Sequence, residues 1–121
     1  MGKKDRHEKK LQVYNELQKN EEERLEVIKE IEKNELAFDE FHDVMLKGKQ
    51  LLDELSHFWR GVEASAFLND TEDTLFETTR EAEKAFQEER ECLENEKKIL
   101  YEQELALNKQ YAQLRANKEA L

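Results

Sequence analysis

Two short stretches of this chain have the spacing of metal ligands. Glu54-Leu55-Ser56-His57 and Asp39-Glu40-Phe41-His42 each set a carboxylate three residues before a histidine, which places both groups on one side of a helical turn. Di-iron helical bundles use Glu-x-x-His from two facing helices, with two further glutamates. Here both pairs fall on one segment, fifteen residues apart, or about 22 Å along a helix. Within one chain they cannot close around a single ion. His7-Glu8 opens a His-Glu-x-x sequence that ends in Leu11, where a zinc protease needs a second histidine. Cys92 is the one cysteine, and Glu91 and Glu94 flank it. Acidic neighbours oppose thiolate formation, and a single cysteine closes no internal disulfide. No glycine-rich phosphate loop is present. The expectation is a protein that is not an enzyme and carries no catalytic residue, no cofactor and no metal.

The elements that carry these residues follow from composition and spacing. Of 121 residues, 41% are charged and 37% apolar, and there is no proline. Such a charge load would fit disorder, but the apolar residues recur at helical periods and no proline interrupts them. The net charge is −10, which argues against nucleic acid, whose binding rests on phosphate neutralisation, and against an anionic membrane surface. Charge is uneven. Residues 1–10 hold five basic and two acidic side chains, whereas residues 63–104 hold fourteen acidic and five basic. No apolar run approaches a membrane span, and no apolar signal core follows the basic N-terminus. These features predict a cytoplasmic protein without membrane insertion.

Ile31, Phe38, Met45, Leu52 and Trp59 stand seven apart, and Asn34, Phe41, Gly48 and Leu55 form the alternate set. Together they make the 3-4 repeat of a coiled-coil seam. Phe38, Phe41, Met45, Leu52 and Leu55 are the expected hairpin core. Upstream, Leu11, Tyr14, Leu17, Leu25, Ile28 and Ile31 suit one helical face, interrupted by the polar stretch 20–24, where fraying is expected. Val44, Leu51 and Phe58 lie beside the seam and widen it. A second stripe, Phe86, Leu93, Leu100, Leu107, Leu114 and Leu121, also runs in sevens, with Ala82, Glu89, Glu96, Gln103 and Gln110 alternating. The apolar surface exceeds what one neighbouring helix covers. Val44, Leu51 and Phe58, with Leu100, Leu107 and Leu114, are therefore candidates for a face turned to a partner.

Between the stripes stands Trp59-Arg60-Gly61, at the midpoint of the chain. Gly61 suits a helix end that needs positive φ, and Trp59 is placed to fold over the crossing. The predicted fold is all-α: one antiparallel two-helix hairpin domain over residues 1–121, with helix one about 6–58, a bend at 59–62 and helix two about 63–118. A fully buried tryptophan predicts a loss of about 3–5 kcal/mol on truncation. A hairpin has a thin core, and thin cores commonly depend on a partner.

Trp59-x-Gly61 at the centre of a proline-free helical hairpin resembles the WXG superfamily of small type VII secretion proteins. Phe67, two turns after the tryptophan, adds to that bend motif. Many members end helix two with an aromatic four residues before an acid. Here Phe86 is followed at that distance by Arg90, Tyr101 by Leu105 and Tyr111 by Arg115. Long arms, high charge and the missing signal look most like the accessory proteins associated with LXG toxins. The resemblance implies a chaperone-like targeting protein that binds the N-terminal helical domain of an LXG-type toxin, with a second small WXG-like hairpin as a further partner. It implies export alongside that partner; the thin core, independently of the resemblance, makes a homodimer the expectation when the chain is alone. The other reading open at this point is a self-associating structural coiled coil with no secretion role.

Overall fold

The computed structural model describes residues 2–119. Met1, Ala120 and Leu121 lie outside them, and with them the last leucine of the predicted stripe. The chain forms two α-helices, α1 (Lys3–Phe58) and α2 (Val62–Glu119), and no strand is found among the described residues. The helices pair as an antiparallel hairpin across a three-residue connection. At that connection Trp59 N–H still donates to Leu55 O at 2.8 Å, and Gly61 O already accepts from Ser65 N–H at 2.9 Å. Gly61 alone carries the reversal, at φ +127°, a value that only glycine adopts without strain. The polar run from Asn69 to Thr74 does not delay α2. Its helix is continuous through that run, and Thr71 Oγ1 donates back to Phe67 O at 2.8 Å.

Two compact units make up the hairpin. One joins the start of α1, through Ile31, to α2 from Cys92 onward; the other spans Glu32–Glu91. In the first, the inner positions of α1 are Lys10, Val13, Leu17, Asn20, Arg24, Val27 and Ile31, and those of α2 are Leu93, Lys97, Leu100, Glu104, Leu107, Tyr111 and Leu114. Both rows alternate in steps of three and four, as two helices wound about one seam require. Val27, Ile31 and Leu100 form the buried cluster, with Leu93 packed against it.

The polar stretch 20–24, expected to fray, is instead part of this seam. Asn20 is 4% exposed. Its Nδ2 donates to Leu100 O at 2.9 Å, and its Oδ1 accepts from Arg24 Nε at 2.8 Å. Arg24 also reaches Glu104 at 2.9 Å and lies 5.2 Å over the Tyr101 ring. Every polar group in the cluster is thus engaged, which is the condition for burying it without a large desolvation loss. Leu11, Tyr14 and Leu25, expected on the inner face, are exposed instead, because the seam passes through Val13, Asn20 and Val27. On α2 the alternate inner row is Lys97, Glu104 and Tyr111, one place later than the expected Glu96, Gln103 and Gln110.

In the second unit, α1 turns Asn34, Phe38, Phe41, Met45, Gly48 and Leu52 towards α2. Phe86 answers with ring centroids 5.5 Å from Phe38 and 5.9 Å from Phe41. Asn34 repeats the device of Asn20, its Nδ2 donating to Phe86 O at 3.2 Å. The inner positions of α2 here are Ala64, Leu68, Thr71, Leu75, Thr79, Ala82 and Phe86. Leu75 and Phe86 are eleven apart, a spacing closer to the natural pitch of a straight helix than the heptad is. Leu75 covers Gly48, and a β-carbon built there would meet Leu75 Cδ1 at 3.4 Å. That is ordinary contact, so Gly48 is a tolerated glycine and no close backbone approach depends on it.

Candidate interaction surface

The side chains singled out from the sequence divide into three groups in the fold. Phe38, Phe41, Met45 and Leu52 are half-buried and face α2. Leu55, expected beside them, is 43% exposed. At that end the buried residue of α2 is Ala64, and one methyl group is too short to cover a leucine. The second group corrects the expected partner face on α2. Leu100 is 6% exposed and belongs to the buried cluster, and Leu107 and Leu114 are half-buried on the same inner row. Their stripe is spent on α1, which is the nearest apolar surface available to it.

The third group is exposed. Val44 and Leu51 are 61% and 60% accessible, and Phe58 is 88%. They recur every seventh residue along α1, beside the seam rather than in it. At the bend, Val62 is as open as Phe58, and Phe67 is half open. Leu36 and Phe76, which the sequence reading did not single out, are exposed as well. Isolated exposed apolar residues are ordinary on proteins; Val44, Leu51 and Phe58 recur at two-turn intervals on one flank of α1.

Trp59 does not cap the core as expected. It is 43% exposed, and its ring leans on Phe67 with centroids 5.3 Å apart and planes at 52°. Removing a half-open ring forfeits about half the transfer energy of a buried one. Trp59→Ala is therefore expected to lower the unfolding free energy by about 1–2 kcal/mol, below the range for a fully buried aromatic; urea titration followed by circular dichroism measures it. An unchanged midpoint would show that the Trp59–Phe67 contact contributes nothing to the bend.

The two carboxylate–histidine pairs resolve into local contacts. His42 Nε2 lies 3.4 Å from Glu83 Oε1, and its ring packs edge-on to Phe38. His57 Nδ1 donates to Asp53 O at 2.6 Å. Among the described residues no group of three or more His, Cys, Asp or Glu side chains is placed to hold a metal ion. Cys92 is exposed. No helix among the described residues is long and apolar enough to cross a membrane. No protein-family model, curated protein or solved structure matches this chain.

Proposed function

We propose that this chain is a non-enzymatic accessory protein that packs beside the long helices of an LXG-type toxin's N-terminal domain and targets it for type VII secretion. A second small WXG-like hairpin would complete the complex, which would assemble in the cytoplasm before export. The observation that carries this reading is the row Val44, Leu51 and Phe58, exposed at heptad spacing on a helix whose seam is already occupied. Helix-in-groove recognition uses anchors at that kind of spacing. The W-x-G bend, with Trp59 tilted against Phe67, supports the family resemblance on which the identity of the partner depends. With Leu100, Leu107 and Leu114 committed to α1, the docking face falls on α1 and the bend.

The test is capture of the tagged chain from its native host, beside a Leu51→Asp/Phe58→Asp variant, with bound proteins identified by mass spectrometry. A protein with a long-helical toxin N-domain should come down with the parent chain and be lost from the variant. Capture of this chain without any such protein would replace the proposal with the self-associating structural coiled coil.

A further inference from the structure

The second unit holds an incomplete copy of an arrangement that is complete in the first. Beside Asn20, Arg24 donates its Nε–H to Asn20 Oδ1, lies over the Tyr101 ring and reaches the Glu104 carboxylate. One guanidinium thus answers a buried amide oxygen, an aromatic face and a carboxylate together. Fourteen residues further along α1 stands Asn34, 5% exposed. Its Nδ2 donates to Phe86 O, fourteen residues before Leu100 on α2. The residue in the place of Arg24 is Phe38, which has no donor to offer, so the Asn34 oxygen has no counterpart to that guanidinium. Asn34 instead lines an open cleft of 480 Å³ between the two helices. Phe38 and Phe86 give the cleft an apolar floor, their rings edge to face with centroids 5.5 Å apart. Glu35, Asp39, Glu83 and Arg90 also line it. Arg90 is paired with Glu35, and Glu83 lies 3.4 Å from His42. Asp39 is exposed and makes no ion pair among the described residues.

We propose that this cleft is a guanidinium site, and that it takes an arginine side chain from a partner polypeptide in the manner of Arg24 in the first unit. The incoming group donates to Asn34 Oδ1, lies on the Phe38 and Phe86 rings and pairs with Asp39. Three observations select this occupant. First, the chain itself fills the corresponding place beside Asn20 with an arginine. Secondly, the lining carries three carboxylates against the one guanidinium of Arg90, so its charge complements a cation, and an aromatic floor favours one further. Thirdly, a planar guanidinium presents several donors in a fixed fork and can address an amide oxygen and a carboxylate at once, whereas the ammonium of lysine is a single point charge. The inference goes beyond the proposed function and does not depend on it. Glu35 and Asp39 lie across the α1 seam from Val44, so the cleft opens on the other flank from the exposed apolar row.

Titration of the full chain with N-acetyl-arginine amide, followed by backbone amide resonances, tests this; the blocked amide stands in for arginine within a polypeptide. Residues 34–39 and 83–90 should shift saturably. N-acetyl-lysine amide should bind at least about three-fold more weakly. Free arginine should also bind more weakly, because its own carboxylate meets the acidic rim. Asp39→Asn should weaken binding of the arginine amide about three-fold, and Asn34→Leu about ten-fold. Helix content should be unchanged in both, since Asp39 is exposed and leucine suits the seam. The absence of a saturable shift overturns the proposal, as does an equal response to the lysine amide, or binding that neither variant weakens. Tighter binding of free arginine overturns a polypeptide as the source. The Leu51→Asp/Phe58→Asp variant should bind the arginine amide like the parent, so failure here and failure of the proposed function are read separately.

Discussion

Leu100→Ala is expected to lower the unfolding free energy by about 2–4 kcal/mol, the range for a large aliphatic side chain removed from a buried site. Leu100 is 6% exposed and is held by Val27 and Ile31, with Leu93 alongside. The hairpin has few such residues, so little surrounding structure is available to share the loss, and the total stability of a domain is only about 5–15 kcal/mol. The Asn20 amide bonds the Leu100 carbonyl, not its side chain, so the substitution deletes packing and leaves the hydrogen bond in place. Urea unfolding of the variant should show an earlier midpoint, with Leu105→Ala, at a 70% exposed site, close to the parent. Equal behaviour of the two variants would return Leu100 to a face outside the hairpin core.

Gly61→Ala should cost about 1–3 kcal/mol, the energy of holding a non-glycine residue in a sparsely populated backbone region. The site separates conformation from packing cleanly. A β-carbon at Gly61 meets nothing within 4 Å, yet φ is +127°. No collision contributes, so the whole effect comes from the backbone. The measurement is again the urea midpoint, read with helix content by circular dichroism. Parent-like stability would mean that the connection can reverse without a positive φ at this residue.

Much of the fold was legible in the sequence because its devices are local. The absence of proline, the 3-4 spacing from Ile31 to Trp59 and the glycine after the tryptophan define two helices and their turning point without knowledge of what faces what. The candidate surface was legible on α1 and misread on α2. Val44, Leu51 and Phe58 stand beside a seam whose own members are apolar, so the flank is distinguishable. On α2 the leucine row is the only strong stripe, and a stripe does not say whether it meets its own chain or another. Only placement opposite Val27 and Ile31 decides that. The N-terminal part of the seam was missed for a different reason. Counting back in sevens from Asn34 and Ile31 reaches Val27, Asn20 and Val13, and then Arg24, Leu17 and Lys10. Hydrophobicity alone instead favoured Leu11, Tyr14 and Leu25. Asn20 and Arg24 are polar residues in core positions, satisfied by partners some 80 residues away in the chain, and nothing local announces them. Trp59 illustrates the same limit, since its size fixed its worth if buried but not whether anything covers it.

The brevity of the connection also lowers the entropic cost of closing the hairpin from the bend. Bringing Trp59 to Phe67 closes a loop of a few residues, and loop-closure entropy rises slowly with length. Each later turn of pairing joins segments that the previous turn already holds close. When Asn20 meets the Leu100 carbonyl, their sequence separation of 80 is no longer the distance the chain must search. Measured by its distant pairs, this is a topology expected to fold slowly. Taken from the bend outward, the same pairing is reached by a series of short closures.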